Sequence, residues 1–205
     1  MALGGRPGGL RGERLRRSPQ YRDGAFHNQT PATTFPPGSG RSTLAEMLAN
    51  RGLRTPSGSI PLATPPGPDA PAAPEGSLFI TWYGHASTLV ELDGRRILLD
   101  PVWSDRCSPV PRFGPRRLHP VPVSLHDLPR LDAIVISHDH YDHLDLPTVV
   151  ALTATSAAPF VVPLGVGAHL ERWAVPAERI IELDWDEQIE VAGVTIAAKA
   201  ARHFS

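Results

Sequence analysis

The chain has 205 residues, a formal net charge of −1 at pH 7 and 41% hydrophobic residues, as expected of a soluble protein with one sizeable core. Its single cysteine, Cys107, excludes an intrachain disulfide framework and favours a reducing compartment. The sequence has no apolar signal segment at its start and no run of about 18 apolar residues. We therefore expect a cytoplasmic protein with at most peripheral membrane contact.

A change in composition divides the chain near Ser77. Residues 1–76 are rich in Arg, Pro and Gly and poor in apolar side chains, which predicts a flexible N-terminal region. The arginines of this region would suit anionic lipid or nucleic acid, but a solvated tail explains them better, and no second feature supports a nucleic-acid partner. Residues 77–205 are predicted to form the folded domain.

A short amphipathic helix is predicted near 43–51 inside the N-terminal region. Thr43 and Glu46 have the spacing of a capping box, and Gly52 supplies a stop. The apolar residues of this stretch fall on one helical face: Leu44, Met47 and Leu48. We expect this helix to dock on the domain rather than enter a membrane, and residues 55–76 to form an extended linker.

The domain sequence predicts strands and helices in alternation. Short apolar runs bounded by turn residues predict strands, and the Asp93-Gly94 pair predicts a tight hairpin. The predicted strands are 78–83, 88–92, 95–99, 133–136, 160–162, 179–183, 188–191 and 194–198, and the predicted helices are 146–154 and 165–173. The order of these elements predicts an α/β fold built on a layered sheet.

The stretch 131–143 carries the strongest functional signal. An uninterrupted apolar run at 133–136, typical of a buried strand, is followed by three histidines and two aspartates in the six residues 138–143. Groups at the carboxyl end of such a strand face the ligand-binding crevice. Imidazole and carboxylate suit zinc, iron or manganese. A polar loop is the alternative, but the density of histidines favours a metal site with two adjacent positions on one loop.

The six residues His138-Asp-His-Tyr-Asp-His143 have the form H-x-H-x-D-H and resemble the signature of the metallo-β-lactamase superfamily. The phrases TWYGHAS at 81–87 and LDPVWSD at 99–105 are similar to those of the N-acyl-phosphatidylethanolamine phospholipase D group. The resemblance implies a four-layer αβ/βα sandwich, of which this chain would form about the first half.

The same resemblance implies two metal positions. It assigns His138, His140 and His203 to the first ion, and Asp142 and His143 to the second. From the residues alone, His203 is equally compatible with a structural role. The bridging Asp and the last His of the family's pattern would lie beyond residue 205.

The resemblance also implies a hydrolytic reaction. Two Zn²⁺ ions are expected in the complete domain, with iron and manganese as alternatives, and Asp142 would be catalytic by holding the second ion and orienting the nucleophile. Asp100 would be a carboxylate that orients a ligand imidazole, although a turn or cap role is equally open. The expected function is a phosphodiesterase acting on an N-acyl phospholipid. The alternatives are hydrolysis of another small ester or lactone, or an inactive fragment that binds metal without turnover.

The remaining candidates are assigned more modest roles. His85 is not a predicted ligand, and His119, His126 and His169 are predicted to be structural. The irregular, proline-rich loop at 101–130 would shape the site. Some of its side chains either contact a substrate with an apolar tail and a phosphate or pack within the loop: Trp103, Arg112, Phe113, Arg116 and Arg117. The sequence predicts neither individual substrate-binding residues nor an oligomeric state.

Overall fold

The computed structural model describes residues 4–30, 45–46, 49–53, 55–110 and 113–203. Most of the regular structure among these residues lies between residues 78 and 197. In chain order the elements are α1 (Gly9–Arg17), β1 (Tyr21–Arg22), β2 (Ala25–Phe26), β3 (Leu78–Gly84), β4 (Ser87–Leu92), β5 (Arg95–Leu99), β6 (Ala133–Val135), α2 (Leu146–Thr155), β7 (Phe160–Pro163), α3 (Gly167–Arg172), β8 (Ile180–Leu183), β9 (Gln188–Val191) and β10 (Val194–Ala197).

A six-stranded mixed sheet in the order β3-β4-β5-β6-β7-β8 forms the centre of the fold. Strands β3, β4 and β5 are antiparallel, and β5 to β8 run parallel. The predicted hairpin lies between β4 and β5, where Asp93 and Gly94 both have positive φ, as a two-residue primed turn requires. Because β5 and β6 are parallel neighbours, the residues that follow them lie at the same edge of the sheet. This sheet confirms the predicted α/β fold class.

The core lies where helices cover the sheet. Tyr83, Leu98, Ile134 and Phe160 are fully buried, as is Leu170 of α3. Burying a side chain of this size contributes about 1.5–3 kcal/mol to the stability of the fold. These contacts therefore fix β5 and β6, the strands that Asp100 and the histidine-rich stretch 138–143 follow. The predicted strand at 133–136 is confirmed as a buried strand.

The two domain helices match the predicted stretches within a few residues. Helix α2 begins with Pro147 in its first turn, where the missing N–H of proline costs no intrahelical hydrogen bond. Its buried residues face the sheet: Thr148, Val149 and Leu152. Among the described residues, none of the helices has the length and apolar content needed to cross a membrane.

The beginning of the chain contains an element that the sequence did not predict. Helix α1 packs on the domain: Arg11 forms an ion pair with Glu171 at 2.9 Å and another with Glu182, and Leu15 is buried. The composition of this stretch predicted flexibility because it has few apolar residues. The structure shows ordered contacts here because distant acidic side chains supply partners for the arginines, which composition does not reveal.

The linker at 55–76, before β3, contains no helix or strand, and part of it is fixed to the sheet. Arg96 of β5 donates to the carbonyl oxygens of Ala70 and Pro71 at 2.7 and 2.8 Å, and pairs with Glu91 at 2.8 Å. The predicted helix near 43–51 falls largely outside the described residues, including Thr43, Leu44, Met47 and Leu48. Within it, the backbone N–H of Asn50 donates to the carbonyl of Glu46 at 2.9 Å.

Candidate metal centre

Three chain segments that follow strands of the same sheet converge at one edge of it. Asp100 follows β5, the histidine loop follows β6, and His85 follows β3. Gly84 has φ of +107°, and a side chain there would collide with the His119 ring, because a Cβ atom would lie 2.7 Å from His119 Cε1. Glycine is therefore required at this bend. The arrangement of the strands therefore brings His85, Asp100 and the histidine loop together at the edge of the sheet where β3, β5 and β6 end.

The first cluster consists of His138, His140 and His203, whose potential ligand atoms all lie within 4.8 Å of one another. His203 Nε2 lies 3.1 Å from His138 Nε2 and 3.1 Å from His140 Nδ1. Two nitrogens bound to one tetrahedral zinc are about 3.3 Å apart, given Zn–N bonds of about 2.0–2.1 Å. The donor atoms of the first cluster therefore fit a single divalent ion.

The second cluster consists of His85, Asp142 and His143, again with all potential ligand atoms within 4.8 Å. Asp142 Oδ2 lies 2.8 Å from His85 Nε2 and 3.7 Å from His143 Nε2. The sequence analysis did not predict His85 as a ligand. Its local signals were its place directly after a strand, next to a glycine, and its inclusion in the phrase TWYGHAS at 81–87, and that position is also compatible with an ordinary turn. In the structure His85 gives the second cluster a third donor.

The carboxylate of Asp100 connects the two clusters. Its Oδ2 accepts hydrogen bonds from His143 Nδ1 at 2.8 Å and from the Ser137 hydroxyl at 2.7 Å, and its Oδ1 accepts the Ser137 backbone N–H at 2.6 Å. The Ser137 oxygen lies 2.9 Å from His138 Nδ1. Because the Ser137 hydroxyl donates to Asp100, its oxygen accepts the proton of His138 Nδ1. Both Nδ1 atoms then carry protons, which leaves the Nε2 lone pairs of His138 and His143 available to a metal.

Burial keeps the imidazole of His138 neutral. It lowers the pKa of His138 to about 4, and the neighbouring imidazoles of His143, His140 and His203 act in the same direction. An ordinary histidine has a pKa of about 6.5, so His138 is unprotonated at neutral pH. A metal would therefore not have to displace a proton from this nitrogen.

The carboxyl group of Asp142 is held in its charged form. Burial acts to raise its pKa, but the hydrogen bond from His85, the backbone N–H of Asp142 itself and the nearby His143 more than offset this and lower the pKa below its ordinary value. Asp142 is thus an anion at neutral pH. Imidazoles together with one carboxylate suit zinc, iron or manganese.

The loop at 101–130 uses several of its candidate side chains internally. Trp103 Nε1 donates to the Val123 carbonyl at 2.9 Å, and its ring packs against Tyr83 at 5.3 Å between centroids. Arg116 pairs with Asp105 at 2.8 Å. Arg117 Nε donates to the Ser104 carbonyl at 2.9 Å, and Arg117 also binds the Val102 carbonyl. Arg112 lies outside the described residues, and Phe113 is 70% exposed. These contacts favour the packing interpretation for Trp103, Arg116 and Arg117.

The other predicted structural histidines lie outside both clusters. His119 packs edge-on against Trp82 with ring centroids 5.7 Å apart. His126 belongs to the short 3₁₀ turn Leu125–Asp127. His169 of α3 is partly buried, and its Nε2 lies 4.0 Å from Asp139 Oδ2. None of these three histidines belongs to a group of potential ligands among the described residues.

The chain is similar in sequence to several known proteins. A protein from Mycobacterium tuberculosis (strain H37Rv), itself uncharacterized, is 52% identical over 190 residues, which cover 92% of this chain and 50% of that protein. The N-acyl-phosphatidylethanolamine-hydrolyzing phospholipase D 1 of Caenorhabditis elegans is 41% identical over 137 residues, covering 63% of this chain and 38% of that one. A metal-dependent hydrolase of Saccharolobus solfataricus is 32% identical over 127 residues, covering 62% and 51%.

The chain thus spans about half the length of these relatives or less. A family model described as a beta-lactamase superfamily domain matches residues 95–205, slightly more than half of the chain. The matched residues include Asp100, the whole histidine loop and His203, but not His85. The chain belongs to the metallo-β-lactamase superfamily.

Proposed function

We propose that the protein is a metal-dependent hydrolase whose first and second clusters each hold one divalent ion. The single observation that carries this proposal is the convergence of two groups of three potential ligands at one edge of the sheet. Zinc is the proposed metal, since imidazole and carboxylate donors suit it, and the same donors suit iron and manganese. His85 completes a three-donor second cluster within this chain, whereas the sequence expectation gave that position only Asp142 and His143.

A bound divalent ion would contribute to hydrolysis in two ways. It would provide a nucleophile derived from water at neutral pH, and it would polarise the scissile oxygen. The protein contributes orientation. The Asp100 carboxylate and the Ser137 hydroxyl fix the imidazoles of His138 and His143 through their Nδ1 protons. Asp142, ionised at neutral pH, is proposed as the catalytic carboxylate that orients the attacking water and accepts hydrogen bonds from it.

For the substrate we propose a phosphodiester of an N-acyl phospholipid, cleaved on the headgroup side of the phosphate. The likeness of residues 81–87 and 99–105 to that group supports this proposal, as does the similarity to the nematode phospholipase D. Such a substrate resides in membranes, so we also propose peripheral contact with a phospholipid surface. The exposed Phe113 and Leu118 lie on the same irregular loop and would be available for apolar contact.

The metal assignment is tested by elemental analysis and thermal unfolding. Replacing both His138 and His140 by Ala should lower the metal content from two ions to one, because two of the three ligands of the first cluster are lost. Added Zn²⁺ should raise the Tm of the unaltered protein, because a ligand that binds the folded state stabilises it by mass action. The double variant His119→Ala with His126→Ala is the matched control and should keep its metal. Equal metal content in the two double variants would refute the assignment.

The substrate assignment is tested with vesicles that contain N-acyl-phosphatidylethanolamine, using mass spectrometry to detect release of the acylated headgroup and phosphatidate. Chelator should abolish the release. Asp142→Asn should lower kcat strongly while the protein remains folded, because orientation of the nucleophile acts on the chemical step. A panel of lactones and carboxylic esters is the comparison. Turnover of a lactone without turnover of the phospholipid would overturn the substrate and leave the metal centre intact.

A further inference from the structure

An asparagine far away in the sequence holds the backbone of one of the clustered histidines. The side chain of Asn28 donates from Nδ2 to the carbonyl oxygen of His203 at 2.9 Å and accepts the backbone N–H of His203 at Oδ1 at 3.2 Å. The carboxamide thus pairs with both polar groups of the same residue. Only an amide side chain offers a donor and an acceptor in this arrangement, and asparagine has the length that the gap requires.

Asn28 belongs to a segment that is itself fixed to the domain. We call residues 4–30 the N-terminal arm. Arg11 of the arm pairs with Glu171 at 2.9 Å and with Glu182, whose side chain is only 4% exposed and also accepts the backbone N–H groups of Gly165 and Gly167. These contacts join the arm to α3 and to β8.

A second contact fixes the arm sterically. Leu15 of the arm is 7% exposed and packs so closely on Gly165 that a Cβ atom there would lie 2.8 Å from Leu15 Cδ1. Asn28 therefore belongs to an arm that is fixed to the domain through Arg11 and Leu15. A hydrogen bond from such a support restrains its partner, whereas one from a freely moving segment would not.

His203 is the member of the first cluster that most needs such support. The regular structure before it ends with β10 at Ala197, and His203 itself is exposed. His138 and His140 instead follow directly on β6, and the Ser137 hydroxyl binds the His138 ring. The backbone position of His203 decides whether its Nε2 stays 3.1 Å from the other two nitrogens.

We propose that Asn28 is a positioning residue for the first cluster. By holding both polar groups of the His203 backbone it keeps the His203 imidazole at the metal position and makes the N-terminal arm part of the metal centre. This inference rests on the proposed role of the first cluster as a metal site. It adds a residue outside the stretch 95–205 that matches the superfamily.

The test compares Asn28→Ala with Gln29→Ala, a neighbouring and exposed amide. The affinity of the first cluster for Zn²⁺ is measured by chelator competition in protein that also carries His85→Ala, which isolates this cluster. Removing a group that orients a ligand typically lowers metal affinity about 10–100-fold. We expect a loss of that size for Asn28→Ala and none for Gln29→Ala. The Co²⁺ absorption spectrum should change only for Asn28→Ala, because the ligand geometry changes.

A second step separates positioning from general destabilisation. In protein that carries His203→Ala, the further change Asn28→Ala should have no effect on Zn²⁺ affinity, because the histidine that Asn28 positions is already absent. An equal loss with and without His203, or no loss in either, would overturn the inference. If Asn28→Ala fails to fold, Asn28→Asp replaces it, since it keeps the acceptor and loses the donor. Absence of Zn²⁺ binding by the unaltered protein would instead refute the metal centre itself.

Discussion

The two clusters contain similar donors but are supported by different parts of the molecule. In the second cluster, His85 directly follows β3 and His143 is tied to Asp100, which follows β5 of the same sheet. In the first cluster, His203 lies beyond the last strand and is bound by Asn28, 175 residues earlier in the chain. The second cluster therefore derives its rigidity from one buried sheet, and the first from contacts between segments at opposite ends of the chain.

The two clusters are not supported entirely separately, because Asp100 contacts both of them. It binds His143 directly and His138 through the Ser137 hydroxyl. The residues around the two clusters can therefore be ranked by the loss of metal binding that we expect when each is replaced. We expect loss of a ligand to remove one metal and loss of the shared carboxylate to weaken metal binding at both clusters. Loss of Ser137 should weaken mainly the first cluster, and loss of a backbone contact at His85 should weaken the second slightly.

The largest effect is expected for His85→Ala. This change removes one of the three donors of the second cluster, and we expect the metal content of the protein to fall from two ions to one. The first cluster, measured by chelator competition, should keep its affinity, because His85 does not belong to it. Retention of both ions in the variant would show that His85 is not a ligand and that the second cluster needs other donors.

The next largest effect is expected for Asp100→Asn. The amide cannot accept hydrogen bonds at both positions, so His143 or Ser137 loses its partner, and the change should lower metal affinity about 10–100-fold. Both clusters should be weakened, which a double variant lacking His138 and His140 and a variant lacking His85 can report separately.

Asp145→Asn is the matched control for this prediction. Asp145 is also a buried carboxylate, but it accepts hydrogen bonds from Ser104 and Thr148 rather than from the clustered histidines. Both variants should unfold more easily, because a buried hydrogen-bonded carboxylate is altered in each. Only Asp100→Asn should change the metal affinity. Equal affinity losses in the two variants would mean that Asp100 acts through stability alone.

The sequence could predict the parts of this site that are local. Five polar residues of the stretch 138–143 follow a buried strand, and that density has few explanations other than a metal. The positions of the strands along the chain and the hairpin between β4 and β5 also follow from local patterns, since the apolar runs and the Asp93-Gly94 turn are each contained within a few residues. The role of Asp100 was predicted from the family resemblance, and its position at the end of a strand was equally compatible with a turn or cap role.

The remaining contacts are not encoded locally, and the sequence could not reveal them. His85 meets Asp142 across 57 positions, and the pairing of β3 with β4 in the same sheet as β6 brings them together. Asn28 lies in a stretch whose composition indicates flexibility, and α1 is ordered by acidic partners more than 150 residues away. The sequence does not show the role of Ser137, because that role depends on the rotamer that places its hydroxyl between Asp100 and His138.

Ser137→Ala should produce a smaller effect, confined mainly to the first cluster. The His138 Nδ1 proton loses its acceptor, whereas His143 keeps its direct hydrogen bond to Asp100. We expect about a tenfold loss of affinity at the first cluster and a smaller loss at the second. Ser137→Thr keeps the hydroxyl and should retain the affinity of the first cluster. A loss in Ser137→Thr as large as that in Ser137→Ala would mean that shape at this position, not the hydroxyl, matters.

The smallest effect is expected for Trp82→Phe. Trp82 Nε1 donates to the carbonyl oxygen of His85 at 2.7 Å, and His85 has a positive φ of 50°, so the indole helps to hold an uncommon backbone conformation. A single neutral hydrogen bond contributes about 0.5–1.5 kcal/mol, which corresponds to about twofold to tenfold in affinity. Trp82 is 59% exposed, so water can replace the lost donor, and we expect the lower end of this range. Phenylalanine keeps an aromatic ring beside His119, which separates the effect of the hydrogen bond from that of the edge-on ring contact. Zn²⁺ affinity should fall at the second cluster, measured in protein lacking His138 and His140, and stay constant at the first, measured in protein lacking His85. Equal losses at both clusters would show that Trp82 acts through the edge of the whole sheet and not through the His85 backbone.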